Sequence, residues 1–316
     1  MKGGIKMPEI PQELMSRLRE AVGRNAAEGI LLSGGLDTSV LAFMLREFSP
    51  HLRAFSVKLA GHGEDFRYGQ GLCQHLGLEL QLREISMTEA LEAVPEVIRI
   101  RRSFDPALPN DLAIYFALKL AREQGSRCVV TGDGADELFC GYDYMFDLDL
   151  ESYLPELARR MSFSSTELGR SLGVEVKQPF LDGEMVQFAL SVKPELKVRD
   201  ERGKRYGKWL LRKAFAEFLP EEIVWQDKRP IEVGSGFARL REVIGSWISE
   251  DELAQAEREF KVKFLSRDHL FYYRVYRQVV GEIPAPGPGQ ISCPGCGAGL
   301  EPSAFHCQTC GWSRKL

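Results

Sequence analysis

The stretch that most constrains this chain is a loop of small residues near its start, Leu-Leu-Ser-Gly-Gly-Leu-Asp-Thr-Ser at 31–39. A short apolar segment of strand type precedes this first loop, and an apolar segment of helix type, 40–48, follows it. Glycines let a backbone approach a ligand closely, and the amide groups at a helix start attract anions. Ser33, Thr38 and Ser39 add hydroxyl donors. The first loop therefore predicts a site for a polyphosphate such as ATP or pyrophosphate.

Asp37 is the unexpected member of this loop. A carboxylate beside phosphates is repulsive unless a cation lies between them, and Mg²⁺ accepts oxygen ligands from both groups. The loop lacks the Gly-Lys-Ser/Thr ending of the common nucleotide loop and the Gly-x-Gly-x-x-Gly pattern of dinucleotide-binding proteins. An alternative interpretation is a plain glycine turn in which Asp37 caps the helix.

A second loop repeats this composition. A strand-like run at 128–131 leads into Gly-Asp-Gly-Ala-Asp-Glu-Leu-Phe-Cys-Gly-Tyr at 132–142. Asp133, Asp136 and Glu137 fall within five residues and have no basic neighbour in the loop. A shared cation explains this clustering, because close carboxylates otherwise repel each other. A solvated acidic turn is the alternative for one such loop, but two loops of this kind favour a metal and phosphate site.

Apolar and amphipathic segments alternate along the chain. A helix is predicted at 11–24, and strand-like and helical patterns follow it. The strands are predicted at 30–33, 52–59, 78–85 and 128–131, and the helices at 40–48, 66–76 and 112–123. Such alternation predicts βαβ units and an α/β fold. Both loops then follow strand carboxyl ends, where the ligand crevice of a parallel sheet lies.

The two loops together resemble those of the asparagine synthetase family of ATP pyrophosphatases. That family carries Ser-Gly-Gly-Leu-Asp-Ser and Gly-Asp/Glu-Gly-x-Asp-Glu-x-Phe-x-Gly-Tyr. Further matches are Pro-Phe-Leu-Asp at 179–182, Lys-Trp-Leu-Leu-Arg at 208–212 and Trp-Gln-Asp-Lys at 225–228. The resemblance implies a doubly wound parallel sheet of the adenine nucleotide alpha hydrolase type, followed by a helical C-terminal part.

The resemblance also implies a reaction and site residues. ATP would adenylate a carboxylate, aspartate or another small acid, with release of pyrophosphate, and ammonia would then form the amide. Asp37 and Asp136 would bind Mg²⁺, and Asp133, Glu137 and Lys228 would form the catalytic set, with Lys228 meeting the reacting phosphorus. The residues expected to bind the nucleotide are Leu32, Ser33, Gly34, Gly35, Asp37, Thr38, Ser39, Val57, Thr131 and Gly132.

The start of the chain departs from the glutamine-using members of this family. A helix is predicted within a few residues of Met1, which leaves no room for a glutaminase domain ahead of the first loop. We therefore expect the nitrogen to come from free ammonia, from a partner protein such as a glutaminase, or from another amine.

Composition predicts a cytoplasmic enzyme. The chain has 316 residues, 44% of them hydrophobic, with no apolar run long enough to span a bilayer and no signal-like start. No membrane partner is therefore expected. The net charge of −4 argues against a globally basic nucleic-acid binder. Local basic clusters, including one at 202–213, are interpreted mainly as solvated helix faces.

The end of the chain has its own pattern. A Pro/Gly-rich stretch at 284–290 predicts a linker, and the pairs Cys293/Cys296 and Cys307/Cys310 follow it. Two such pairs resemble a zinc ribbon with four thiolate ligands for Zn²⁺. Disulfides are the alternative, which a reducing compartment disfavours. The predicted domains are thus a synthetase domain at 1–283 and a ribbon at 291–316.

Three functions compete at this point. The first is an ammonia-dependent amide synthetase, with the ribbon as a docking or structural module for a protein partner. The second is an ATP pyrophosphatase that modifies tRNA or another nucleic acid. The third is a nucleotide-binding regulator without catalysis. The complete set of acidic residues and Lys228 disfavours the third, and the Pro-Phe-Leu-Asp segment favours the first over the second.

Overall fold

The computed structural model describes residues 9–314. Residues 1–8 and 315–316, which belong to the predicted synthetase domain and ribbon, lie outside the described part. The described residues form two compact units. The first comprises 9–56, 65–83 and 117–229, and the second comprises 57–64, 84–116 and 230–314. The division predicted from the sequence, with a linker at 284–290, stays a prediction.

A five-stranded sheet forms the centre of the fold. Its strands are β1 (Gly29–Leu31), β2 (Arg53–Leu59), β3 (Glu79–Ile85), β4 (Cys128–Val130) and β5 (Glu175–Lys177), in the order β3-β2-β1-β4-β5. Two antiparallel hairpins lie outside it, β6 (Arg199–Glu201) with β7 (Lys204–Tyr206), and β8 (Ile291–Ser292) with β9 (Gly299–Leu300).

The strand order shows a doubly wound topology. β1 pairs in parallel with β2 on one side and with β4 on the other, so Ile30 lies opposite both Ala54 and Val130. The chain builds outward from β1 to β3 and then returns to β4 and β5. Because crossover connections between parallel strands are right-handed, the two directions place their helices on opposite faces. The point where the order reverses, between β1 and β4, is where such sheets bind ligands. The predicted α/β fold is confirmed.

The helices follow in chain order. They are α1 (Glu9–Arg24), α2 (Leu36–Leu45), α3 (Phe66–Leu76), α4 (Met87–Arg101), α5 (Leu108–Glu123), α6 (Ala135–Phe139), α7 (Leu150–Ala158), α8 (Ser164–Leu172), α9 (Gly183–Ser191), α10 (Pro194–Lys197), α11 (Trp209–Phe215), α12 (Glu221–Val224), α13 (Ile231–Gly234), α14 (Arg239–Gly245), α15 (Glu250–Phe260) and α16 (Arg267–Val279). Short 3-10 helices lie at Asp143–Asp147 and Pro179–Leu181. None of the helices in this described part is both long and apolar enough to span a bilayer.

The core of the first unit explains why α1 forms. Leu14, Leu18, Ala21 and Val22 lie on one face of α1 at helical spacing and are fully buried. They belong to one apolar cluster with residues of α2, α9 and α11. This packing supports the strands whose carboxyl ends carry the two loops.

A buried lysine anchors the helix of the second loop. Lys197 is 1% exposed, and its Nζ donates to the carbonyl oxygens of Leu138, at 2.8 Å, and Ala189, at 2.7 Å. The first carbonyl belongs to α6 and the second to α9. Burial lowers the pKa of Lys197 from 10.5 to about 8.

This lowered pKa predicts a pH-dependent stability. Between pH 8 and 10.5 the unfolded chain keeps the Lys197 proton that the folded chain has lost, so stability rises with pH. Relative to Lys197→Met, we expect the wild-type free energy of unfolding to increase by up to about 3 kcal/mol across this interval. Urea unfolding at several pH values measures it. Lys193→Met, at an exposed lysine four residues earlier, is the control. A difference between wild type and Lys197→Met that stays constant with pH would contradict the prediction.

Candidate active site

The first loop turns sharply between β1 and α2. Gly34 has a φ of +78°, and a Cβ there would lie 2.6 Å from the carbonyl oxygen of Asp65, so only glycine fits. Helix α2 has Gly35 as its N-cap, without a side-chain cap, and Asp37 lies in its first turn. Asp37 is therefore not the cap that the alternative interpretation supposed. The uncapped helix start suits an anionic ligand.

The loop hydroxyls already have partners within the loop. The Oγ atoms of Ser33 and Thr38 lie 3.2 Å apart, and Ser33 Oγ accepts from the amide of Gly35 at 3.2 Å. Ser39 is fully buried, and its hydroxyl donates to the carbonyl of Gly35 at 2.8 Å. Ser39 therefore shapes the helix start, whereas Ser33 is partly exposed. Binding of pyrophosphate by these hydroxyls stays a prediction.

The second loop contacts the first. A Cβ on Gly132 would lie 3.1 Å from Cβ of Asp37 and 3.2 Å from Cγ2 of Thr38. Gly134 has a φ of +92° and precedes α6, which carries Asp136 and Glu137 in its first turn. The structure thus brings the two loops together beyond the adjacent strands β1 and β4, as the sequence predicted.

Two carboxylates and two lysines form the centre of this site. Nζ of Lys208 lies 2.9 Å from Oδ2 of Asp37 and 2.8 Å from Oδ1 of Asp136. Nζ of Lys228 contacts the other carboxylate oxygen of Asp136 and lies 5.3 Å from the ring centroid of Tyr142. The side chain of Lys208 is 4% exposed and that of Lys228 is 23% exposed. Lys228 is therefore the lysine that can reach an incoming ligand.

The charges in this cluster shift one another's proton affinity. Burial raises the pKa of Asp37, and the neighbouring Asp136 adds to this effect against the attraction of Lys208. At Asp136, the effect of burial is outweighed by Lys208 and Lys228 together, and the pKa is lowered to about 2. Burial would lower the pKa of Lys208, but the two carboxylates raise it. An ionised acid and a charged lysine thus persist without water around them.

The cluster fits a magnesium ion. Oδ1 of Asp37 is buried and has no hydrogen-bond partner, an arrangement that costs free energy unless a ligand completes it. Carboxylate oxygens are the ligands that Mg²⁺ prefers, together with substrate phosphates. Asp37 and Asp136 are thus suited to hold the ion that the family resemblance implies, and this role remains a proposal.

The two other predicted acids occupy different surroundings. Oδ2 of Asp133 accepts from the hydroxyls of Thr131 and Ser165, both at 2.6 Å, and from the amide of Gln178 at 2.9 Å. These three donors fix the shape of the second loop. Glu137 accepts from the hydroxyl of Tyr142 at 3.3 Å. Burial and the charge of Asp136 raise the pKa of Glu137 to about 7.

The predicted nucleoside-binding residues lie within β2 or just after β1 and β4. The amide of Leu32 donates to the carbonyl of Phe55 at 2.8 Å, so the first loop begins in register with β2. Val57 lies two residues further along β2 and is 7% exposed. The amide of Thr131 donates to the carbonyl of Lys177 at 3.0 Å, and Gly132 follows it. Their roles stay predictions.

A buried arginine and a glutamine hold the lysine-bearing segments in place. Nε of Arg212 donates to the carbonyl of Gly207 at 2.9 Å, and its Nη1 donates to the carbonyl of Gln226 at 3.0 Å. The side chain of Gln226 donates to the carbonyl of Gly34 at 2.9 Å. Arg212 thus joins the residue before Lys208 to the segment that leads to Lys228.

Sequence reasoning missed Lys208 and Arg212 as site residues. Both lie in the basic cluster that was interpreted mainly as a solvated face, yet each is 3% exposed. The available signal was the apolar run Trp209, Leu210 and Leu211 beside them, which is typical of a buried helix start rather than of a charged surface.

The four cysteines of the C-terminal tail converge. The sulfurs of Cys293, Cys296, Cys307 and Cys310 are buried and lie within 4.8 Å of one another. Cys293 and Cys310 are 3.8 Å apart at Sγ, and Cys296 and Cys307 are 3.9 Å apart. Four thiolates around a tetrahedral Zn²⁺ at ~2.3 Å would be separated by ~3.8 Å. The cluster fits a metal, with zinc as the proposed ion.

Comparison with known sequences identifies the family. The asparagine synthase family profile matches residues 13–172 and 145–280, which is most of the chain. The chain belongs to the asparagine synthase family. The resemblance noted in the sequence is therefore confirmed.

Curated asparagine synthetases resemble the chain over about half of their own length. A probable glutamine-hydrolysing asparagine synthetase of Dictyostelium discoideum is 27% identical, over 85% of this chain and 54% of its own length. Asparagine synthetase B of Escherichia coli, also named glutamine-hydrolysing, is 25% identical over 90% of this chain and 56% of its own length.

One solved structure gives a weaker match. The U34-tRNA thiolase NcsA from Methanococcus maripaludis, solved with its [4Fe-4S] cluster, aligns with 88% of this chain and 82% of its own. The identity is 13% and the TM-score is 0.38.

Proposed function

We propose that this asparagine synthase family chain is an ATP-dependent, AMP-forming amide synthetase. It adenylates aspartate or another small carboxylic acid, releases pyrophosphate, and transfers ammonia to the activated acyl group. The observation that carries this proposal is the convergence of Asp37, Asp136, Lys208 and Lys228 beyond the ends of β1 and β4. The family membership and the resemblance of both loops support the same reaction.

The residues suit the first step of this reaction. An oxygen of the acid attacks the α-phosphorus of ATP, and the bond to pyrophosphate breaks, so negative charge grows on the leaving group. Mg²⁺ held by Asp37 and Asp136 would neutralise part of this charge. Lys228, the more exposed lysine, is the side chain proposed to stabilise the negative charge that develops on the reacting phosphate.

The second step needs a nitrogen nucleophile and a place for its proton. Ammonia attacks the acyl carbon, AMP leaves, and one proton must be taken from the nitrogen. Glu137 is the proposed acceptor because burial and the charge of Asp136 raise its pKa to about 7, and it lies beside the hydroxyl of Tyr142 at 3.3 Å. Asp133 is proposed to assist catalysis by holding the second loop in its conformation, since its Oδ2 already accepts three hydrogen bonds.

Pyrophosphate release tests the proposal. The purified chain is incubated with ATP, Mg²⁺ and ammonium chloride, with one small acid at a time, and both AMP and pyrophosphate are measured. We expect release that depends on one acid and on ammonia. With that acid labelled by ¹⁸O in its carboxylate, one label should appear in AMP, because the acid oxygen becomes the bridge to phosphorus.

Other outcomes contradict the proposal. Formation of ADP instead of AMP excludes adenylation. Release that requires tRNA and ignores every acid supports the nucleic-acid alternative. No release with any acid, while ATP still binds, supports a nucleotide-binding regulator.

A further inference from the structure

Each cysteine pair of the tail closes a turn in which some backbone groups bond within the turn and others bond to residues outside the tail. In the first turn the amide of Gly295 donates to Sγ of Cys293 at 3.3 Å, and in the second the amide of Gly311 donates to the carbonyl of Cys307 at 2.8 Å. The first of these donors faces a cysteine sulfur, and the second closes its turn through a backbone hydrogen bond. The carbonyls of Gly295 and Thr309, one in each turn, are left for partners outside the tail.

Both of these carbonyls have partners in the second unit. The carbonyl of Thr309 accepts from the amide of Phe104 at 2.8 Å and from the hydroxyl of Ser103 at 3.3 Å. The carbonyl of Gly295 accepts from the amide of Lys263 at 2.8 Å. Two segments that are distant in sequence are thus held by the two halves of the cysteine cluster.

One of these segments enters the aromatic core of the second unit. Phe104 is fully buried. Its ring centroid lies 5.2 Å from that of Tyr273, 5.1 Å from that of Tyr276 and 5.4 Å from that of His269, all on α16. The amide that Thr309 satisfies therefore belongs to a residue at the centre of this packing.

A third contact fixes the same segment from the side. Asp105 contacts Nε2 of His306 through Oδ2 at 2.9 Å, and its Oδ1 accepts from the amide of Ala107 at 2.8 Å, just before α5. Gly311 packs so closely here that a Cβ would lie 2.6 Å from Oδ1 of Asp105. The tail is thus fitted to this turn by shape as well as by hydrogen bonds.

We propose that the four-cysteine site is an internal clamp for the second unit. Bound zinc fixes the two turns, and their outward carbonyls then hold residues 103–105 and Lys263 against the aromatic core. A tail of this size has too little apolar core to hold the turns alone, so the metal supplies the order. The inference rests on the proposed zinc binding and is independent of the proposed amide synthesis. Its partner is the chain itself, rather than the outside protein that the sequence suggested.

Two glycine substitutions distinguish the effect of losing the clamp contact from the effect of losing the metal. Gly311→Ala places a methyl group against Asp105, at a φ of +75°. Gly297→Ala is the matched control, because Gly297 follows the other cysteine pair with a φ of +83°, but a Cβ there would lie 4.0 Å from Oγ of Ser292, its nearest neighbour. Both variants carry similar backbone strain, and only the first disturbs the clamp.

Hydrogen exchange of the full chain, with zinc content measured alongside, provides the readout. We expect Gly311→Ala to retain one zinc and to exchange the Phe104 amide at least tenfold faster, while Gly297→Ala retains zinc with wild-type exchange. In the wild type, removal of zinc by a high-affinity chelator should accelerate exchange at both Phe104 and Lys263.

Three results would overturn the clamp. One is unchanged protection of Phe104 and Lys263 after the wild type has lost its zinc. Another is equal exchange at Phe104 in the two glycine variants. The third is a purified wild-type chain that binds no zinc. If Gly311→Ala itself releases the metal, the exchange rates of Phe104 and Lys263 in the chelated wild type decide whether the clamp exists.

Discussion

Changing Asp37 to asparagine is expected to reduce pyrophosphate release by roughly a thousandfold, the upper range for loss of one electrostatic group in an active site. The substitution removes the charge at the buried Oδ1 atom, which lacks a hydrogen-bond partner and is the proposed contact to Mg²⁺. An amide still offers an oxygen to Lys208, so the fold should be retained. The measurement is pyrophosphate release with the acid that the substrate panel identifies.

Binding measurements and a control variant distinguish loss of Mg²⁺ binding from general damage to the protein. Binding of an ATP analogue should be as in the wild type without Mg²⁺, and the increase that Mg²⁺ produces should be lost. Asp147→Asn is the control, since the side chain of Asp147 is 87% exposed and pairs with Arg205. Activity of Asp37→Asn within tenfold of that control would show that Asp37 is not a metal ligand.

Changing Lys208 to methionine is expected to destabilise the magnesium-free protein by about 3–5 kcal/mol, the range for removal of one partner from a buried ion pair. Lys208 lies between Asp37 and Asp136 at 2.9 and 2.8 Å, so its loss leaves two buried carboxylates without their common counter-charge. Mg²⁺ should restore part of the lost stability because it neutralises the same oxygens. Urea unfolding with and without excess Mg²⁺, in buffer that contains zinc and no chelator, measures both effects.

Lys213→Met is the matched control, because Lys213 lies in α11, the helix that Lys208 immediately precedes. Lys213 is 39% exposed and lies 3.6 Å from Glu201, so its loss should cost less than about 1 kcal/mol and show no dependence on Mg²⁺. If the two variants unfold alike without Mg²⁺, Lys208 is not the counter-ion of the carboxylates. If Mg²⁺ fails to stabilise Lys208→Met, the shared carboxylate pair is not a magnesium site.

The regular spacing of apolar residues along the sequence made much of the fold predictable. The helix predicted at 66–76 is α3, and the strands predicted at 52–59 and 78–85 are β2 and β3 within one residue. Helix α2 begins at Leu36, inside the first loop, because Gly35 caps it and the polar Asp37 and Thr38 fit a first turn. Strand β5 was missed because its three residues, Glu175–Lys177, carry two charges and lie at the sheet edge.

The site was predictable only where its residues follow strands. Asp37 and Asp136 lie in the first turns of the helices that follow the neighbouring strands β1 and β4, so sheet topology places them together. Lys208 lies far along the chain, at the N-cap of α11 after the β6–β7 hairpin, and its φ of +52° could not be predicted from its residue type. Lys197 was missed for a related reason, since a lysine becomes a buried anchor only when two helix carbonyls converge on it.

The glycines around the carboxylates limit how this site can evolve. A Cβ on Gly141 would lie 1.8 Å from Oδ1 of Asp136, and one on Gly207 would lie 1.8 Å from the carbonyl oxygen of Cys140. Even a methyl group would therefore displace the acid or the segment that carries Lys208. Substitutions at these glycines are therefore disfavoured, whereas more exposed side chains near the site can change, such as the half-exposed Tyr144, whose ring stacks on that of Tyr142 at 5.7 Å between centroids. Attempts to alter the acid used in the proposed reaction should therefore vary exposed side chains and leave these glycines unchanged.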